Sequence, residues 1–257
     1  MSGTALPPGY VRSAAGAVEF VARDWAHEPL RQALGAHGSL YQWAEAQADR
    51  EPLQGRGVAW ATTLGVGATS GSTGTAVVVR HTRHGGLFAG LTGDLFPRPT
   101  RAPRELATAV RLANSGVPTP EVIAYAVHPV AGVLARSDVM TRRLPAGRDF
   151  PAAWRAAAPD ARTPLLEAVA VLLRALSGAG AHHPDLNVKN VYVAGDGAAI
   201  TAYVLDVDRV EFADAPRAAA RNVARFARSA RKWNERHALG VPDDALMRLA
   251  TLAWEQV

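Results

Sequence analysis

Apolar residues follow two different spacings along this chain, and the change between them divides it. In the first half, short β-prone runs dominate: AVEFVAR (17–23), VAWATTL (58–64), TAVVVRHT (75–82), EVIAYAV (121–127) and GVLARSDVMT (132–141). Bounded by turn residues, these runs predict strands. The Gly/Ser/Thr stretch 65–75 joins two of them as a hairpin, introduced by Gly55 and Gly57 of LQGRG. Two segments carry helical spacing instead. SLYQWAEAQADR (39–50) begins with Ser39 as an N-cap residue and predicts a surface helix preceding the sheet. In PTRAPRELATAVRLANSG, Pro103 suits an early helical position and Glu105 the first turn. Leu106, Val110 and Ala113 share a face, and Asn114 to Gly116 supply the stop.

Leu144, Pro145, Ala146 and Gly147 interrupt the pattern, and beyond them the helical period takes over. Leu165, Leu166, Val169, Leu172, Leu173 and Leu176 trace the buried stripe of a helix started by Thr163-Pro164 and ended by Ser177-Gly178. NVYVAG and AITAYVLD, around Gly195-Asp196-Gly197, predict a hairpin, and an arginine-rich helical segment follows. The fold class is therefore α+β. An antiparallel sheet with one inserted helix fills residues 1–144, and a smaller, mostly helical part fills 145–257.

Composition narrows the picture. At 48% hydrophobic and 20% charged, the 257 residues are those of a globular protein with a real core. Cysteine is absent, which excludes disulfides and thiolate chemistry. No apolar run is long enough to span a bilayer and the amino terminus lacks a signal-peptide layout, so a cytoplasmic protein is expected. A net charge of +5 points to an anionic partner. Nearly all of the basic residues are arginine, Lys189 and Lys232 being the two lysines.

The chemistry concentrates in HHPDLNVKN (182–190) and LDVDRV (205–210), on either side of the second hairpin. Asp185 and Asn190 stand five apart across a turn, and the hairpin returns Asp206 to the same edge. Two carboxylates and an amide gathered there suit Mg²⁺ held by oxygen ligands, with phosphate completing the shell. His183 reads as a hydrogen-bonded histidine of the loop rather than a base or ligand. Arg221, Arg225, Arg228 and Lys232 fall on one face of the arginine-rich helix. Such a stripe is either a solvated face or an acceptor-side patch; no nucleic-acid reader motif or stacking platform accompanies it.

HPDLNVKN resembles the catalytic loop of the protein-kinase-like fold, and Asp206-Val207-Asp208 stands where that superfamily binds metal. More narrowly, VVVRHTRHGGL, TRRLPAG, HPDLN with Asn190, DVDR and RFARSARK resemble the 3-deoxy-D-manno-octulosonic acid (Kdo) kinases and lipopolysaccharide-core kinases of Gram-negative bacteria. The resemblance implies a bilobal kinase-like fold using ATP and Mg²⁺. It makes Asp185 the catalytic base, and Asn190 and Asp206 the metal ligands. Arg80 becomes the cation for nucleotide phosphates, steadied by Glu105, with Gly55 and Gly57 as the remnant of a glycine-rich turn. It further implies an anionic glycolipid acceptor resembling Kdo-lipid A, reached on the cytoplasmic face of the inner membrane by peripheral contact. Read without the resemblance, Glu105 is equally a first-turn carboxylate favoured by the helix dipole, and Arg80 an alternate-face strand residue. A kinase for core heptose or for a soluble small molecule such as an aminoglycoside, and a nucleotide-binding scaffold without catalysis, stay open beside the Kdo reading.

Overall fold

In the computed structural model, residues 5–54, 57–65, 74–82, 94–195 and 199–254 are described. The chain divides into two compact units. One comprises residues 1–107 with 121–143, the other 108–120 with 144–257.

The first unit is built on one antiparallel sheet. Its strands are β1 (Tyr10–Ala15), β2 (Val18–Arg23), β3 (Glu51–Gln54), β4 (Val58–Leu64), β5 (Thr75–His81), β6 (Phe96–Pro97), β7 (Val122–Ala131) and β8 (Leu134–Arg142). They run in the order β1-β2-β7-β8-β5-β4-β3, with β6 pairing against β8. All five runs read as strands from the sequence lie in this sheet; β1, β3 and β6 are additions. Two helices cover it. α1 (Asp24–His37) packs on β1 and β2, and α2 (Leu40–Glu45), capped by Ser39, packs on β4, β5 and β8. Ala26, Leu30 and Leu34 of α1 meet Phe20, Ile123 and Met140 in a dry core, which is what holds α1 in place despite Pro29 within it.

The sheet carries a charged group inside it. Asp138 on β8 is fully buried and accepts from His81 Nδ1 at 2.5 Å, His128 Nε2 at 3.1 Å and the Tyr41 backbone N–H at 3.2 Å. The Tyr41 ring stacks on His81 with centroids 4.0 Å apart. Burial alone raises the Asp138 carboxyl, but the hydrogen bonds and charges of His128 and His81 more than reverse this and hold it down at about 2. His81 opposes Asp138 across β5 and β8, so the network pins the register beside Arg80.

The helix α3 (Ala102–Asn114) forms and stops where its sequence signals lie. Its buried side differs from the expected one. Leu106 is buried, but Val110 is half-exposed and Ala113 exposed, and the inward stripe runs through Glu105, Leu106, Ala109 and Leu112. The stripe therefore includes a carboxylate, a residue that hydrophobicity alone assigns to the outer face.

The second unit is mostly helical. α4 (Phe150–Ala156), α5 (Arg162–Gly178), α6 (Ala215–His237) and α7 (Asp243–Trp254) surround short strands β9 (Gly147–Asp149), β10 (Ala181–His182), β11 (Val191–Ala194), β12 (Thr201–Val204) and β13 (Glu211–Phe212). All six predicted leucine and valine positions of α5 are buried, and the helix packs on α6, α7 and β12. Phe150, Trp154 and Phe226 form an aromatic cluster between α4 and α6. β12, β11 and β9 make one antiparallel sheet, and β10 pairs with β13.

Candidate active site

Two ladders bracket the polar segments of the second unit. Val191 opposes Val204 at the start of the β11–β12 hairpin, and His182 opposes Glu211 where β10 meets β13. Residues 183–190 and 205–210 are thus confined side by side, which brings the segments bearing Asp185, Asn190 and Asp206 to one end of the hairpin. Gly180 sets the entry to this edge. Its φ of +63° and the approach of Ala213, whose carbonyl oxygen would stand 2.3 Å from an added Cβ, leave room for glycine alone.

Hydrogen bonds then tie the three residues together. Asn190 Nδ2 donates to the Asp185 carbonyl at 2.9 Å, and Asn187 Nδ2 to the same oxygen at 3.2 Å. The Leu205 N–H donates to the Asn190 carbonyl at 2.9 Å, which places Asp206 one residue away. Because the amide nitrogen of Asn190 is committed to Asp185, its Oδ1 is the atom left for a cation. Asp206 has the left-handed backbone φ 55°, ψ 49°, a conformation uncommon outside glycine, asparagine and aspartate. Among the described residues no group of three or more His, Cys, Asp or Glu side chains forms a self-contained metal cage. Asn190 and Asp206 supply hard oxygen donors that suit Mg²⁺ when phosphate oxygens complete the shell.

His183 is a structural keystone of the loop. It is fully buried; Nδ1 accepts from the Asp185 N–H at 3.2 Å and Nε2 faces the Leu205 carbonyl at 3.1 Å. An acceptor at Nδ1 and a carbonyl at Nε2 select the neutral Nε2–H tautomer. Burial pushes its pKa below the usual imidazole range, against the raising effect of the Leu205 carbonyl and of Asp185, Asp206 and Asp208.

Helix α6 supports the loop from behind through Arg225 and through two residues the sequence reading did not single out, Asn222 and Ser229. Fully buried Asn222 accepts from the His183 N–H at 3.0 Å and donates to the Ala181 carbonyl at 2.8 Å. Seven residues on, Ser229 Oγ accepts from the Val188 N–H at 3.1 Å. Between them, Arg225 Nε donates to the Pro184 carbonyl at 2.9 Å and Nη2 to Asp185 Oδ1 at 3.1 Å. Arg209 Nη1 stands 4.0 Å from the other carboxylate oxygen. Arg225 accordingly leaves the outward stripe in which its spacing had placed it, whereas Arg221, Arg228 and Lys232 are exposed. One signal for this role was present: Asn222 and Ser229 are polar residues at i and i+7, and with Arg225 at i+3 they make one polar face.

In the first unit, Arg80 on β5 and Glu105 in the first turn of α3 form an ion pair, Nη2 to Oε1 at 2.5 Å, with the carboxylate buried. The pairing foreseen between these two residues is present. Gly57 leads directly into β4; Gly55 lies outside the described residues.

Comparison with known proteins places this geometry in a lineage. The 3-deoxy-D-manno-octulosonic acid kinase of Vibrio parahaemolyticus is 26% identical over 210 residues, covering 76% of this chain and 81% of its own. The enzyme of the same name from Actinobacillus succinogenes is 26% identical over 190 residues, covering 68% of this chain and 72% of its own. A solved structure of WaaP in complex with acyl carrier protein shares the fold, with a TM-score of 0.55 and 20% identity over 90% of this chain and 88% of that one. The profile of the Lipopolysaccharide kinase (Kdo/WaaP) family matches residues 42–241, which span β3 to β13, α3, α5, the loop and α6. The chain therefore belongs to the Lipopolysaccharide kinase (Kdo/WaaP) family, a family of phosphotransferases.

Proposed function

We propose that this protein is a kinase of bilobal, protein-kinase-like architecture that uses ATP and Mg²⁺ to phosphorylate a hydroxyl of Kdo in the lipid A inner core. The observation that carries the reading is the hydrogen-bonded chain Asp185–Asn190–Leu205, which ties the backbone of the loop bearing Asp185 and Asn190 to the segment bearing Asp206. Two relatives named as Kdo kinases supply the acceptor.

Asp185 orients the sugar hydroxyl and takes its proton as the oxygen bonds to the γ-phosphorus and ADP departs. Its carboxylate is held for that task by Arg225, and by Arg209 at longer range. Asn190 Oδ1 and Asp206 hold the cation, which neutralises charge on the phosphates when bound. In the first unit, the fork of Arg80, braced by Glu105, serves as the phosphate-binding cation where the resemblance leads one to expect lysine. The protein works at the cytoplasmic face of the inner membrane in peripheral contact with it; no helix among the described residues is long and apolar enough to cross a membrane.

Transfer of labelled phosphate from ATP is measured against Kdo-lipid A, a heptose-containing core, free Kdo and an aminoglycoside. Kdo-lipid A is the expected acceptor; transfer confined to the soluble compounds rejects the lipid assignment. Asp185→Asn lowers kcat by on the order of 10²–10⁴-fold. Asp206→Asn keeps the left-handed backbone and the fold but loses Mg²⁺-supported transfer. Wild-type protein that transfers phosphate to none of the four acceptors overturns the kinase reading in favour of a binding scaffold.

A further inference from the structure

The positive charge of this protein is gathered on one helix. α6 carries six arginines and Lys232 against a single acid, Glu235, a net of six positive charges, whereas the whole chain nets +5. Arg217, Arg221, Arg228, Arg231, Lys232 and Arg236 are exposed and occupy one sector of the helix, extending over about 28 Å at 1.5 Å per residue. A solvated helix face ordinarily mixes its signs in pairs three or four apart. α1 does this with Glu28 and Arg31, and α7 with Asp244 and Arg248. On α6, Ala220, Ala224 and Ala227 stand between the cations, and Arg228, Lys232 and Arg236 form an i, i+4, i+8 series of like charge. Of the six exposed cations, Arg231 alone forms an ion pair among the described residues, with Asp243 at 2.9 Å. The repulsion within the row is a cost that solvent leaves in place and a negatively charged partner removes. A depression of about 550 Å³ lies on this face, lined by Ala224 and Ala227, by Arg228, Arg231, Lys232 and Arg236, and by the single acid Glu235.

The kind of partner follows from the neighbouring helix. Asp243, which meets Arg231, begins a stripe on α7 that continues at i+4 and i+11 with Met247 and Trp254. Both are exposed, at 61% and 43%, among the few large apolar side chains that are. The same side of the unit therefore offers a long row of cations and two apolar side chains, one of them an indole. A nucleic-acid duplex satisfies the first feature but, with its bases already stacked inside, has no use for the second, and a single strand would stack on the indole but leaves Met247 without a role. A bilayer of anionic phospholipid satisfies both, since its headgroups form a planar array of phosphates and its boundary region takes up tryptophan and methionine. We infer that the exposed face of α6, with Met247 and Trp254 of α7, is the surface by which the protein docks on an anionic membrane.

This deepens the peripheral location proposed above by naming the surface, and its test contains neither nucleotide nor acceptor, so either reading can fail while the other stands. The full chain is sedimented with vesicles of phosphatidylcholine, with and without phosphatidylglycerol, at rising salt. Binding confined to the anionic vesicles and declining with salt is expected. The Arg228→Gln/Lys232→Gln/Arg236→Gln variant binds more weakly by about fivefold per charge, on the order of a hundredfold in all. Met247→Ser/Trp254→Ser weakens binding that persists at high salt. All five positions are exposed and outside the active site, so circular dichroism and the urea denaturation midpoint remain at wild-type level in both variants. Equal binding to neutral vesicles, anionic binding untouched by the triple variant, or retention of duplex DNA without vesicle binding overturns the inference.

Discussion

Arg225 occupies a position where two chemical demands meet. Its Nε closes the Pro184 carbonyl and its Nη2 grips Asp185 Oδ1, so a single planar group fixes both the backbone and the carboxylate of the loop. It acts on the reaction through Asp185 and is a positioning residue. Arg225→Gln is expected to lower kcat by on the order of 10–10²-fold with a far smaller change in the KM for ATP. Arg225→Lys keeps the charge but not the fork, and recovers only part of that loss; steady-state kinetics on the two variants decide it. A kcat unchanged in Arg225→Gln removes the role. The proximity of the segments bearing Asp185, Asn190 and Asp206 was legible in the sequence because one short hairpin joins them. Arg225 was not, since it lies 40 residues from its partner and has the spacing of a solvent-facing arginine. The Arg80–Glu105 pair was legible only through the resemblance, because nothing local distinguishes a strand arginine or a first-turn glutamate.

At the scale of elements, the strongly periodic segments read true and those containing a contradiction did not. α5 shows an uninterrupted apolar stripe, and its buried residues are those expected. α1 went unread because Pro29 sits within it, and proline in a helix interior is ordinarily a breaker; burial of Ala26, Leu30 and Leu34 outweighs that cost. The register of α3 was misjudged because Glu105 belongs to the buried side, where the ion pair with Arg80 makes it tolerable. α6 likewise combines an outer face of cations with an inner face of loop-binding polar groups. Asn222→Ala strips partners from the His183 N–H and the Ala181 carbonyl, and is expected to lower the unfolding free energy by about 2–4 kcal/mol. Urea denaturation measures this, and a loss under about 1 kcal/mol would show that water replaces the amide.

For the molecule as a whole, the α+β class and the change of character near residue 145 were visible in the spacing of apolar residues. The assignment of residues 108–120 to the second unit was not, because it runs through a continuous helix. The two units respond to acid in different ranges. His183, in the second, has a folded pKa below its unfolded value, so its neutral form contributes stability that is complete above the ordinary imidazole range and is lost as pH falls below about 6.5. Asp138, in the first, is lowered from 3.8 to about 2. It contributes stability that is present above pH 3.8 and lost as pH falls through about 2. Hydrogen exchange at peptide resolution during acidification is expected to show peptides from 181–194 losing protection before those from 134–142. The reverse order would contradict this assignment of proton-linked stability.

The scarcity of lysine makes this protein unusually simple to address chemically. Apart from any terminal amine, an amine-directed reagent meets two targets in the sequence. Both are exposed, Lys189 paired with Asp149 at 2.5 Å and Lys232 standing among the arginines of α6. With Lys189 replaced by arginine, a lysine-directed dye or photocrosslinker goes to a single site on that helix, and reports on whatever covers it without a cysteine having to be engineered.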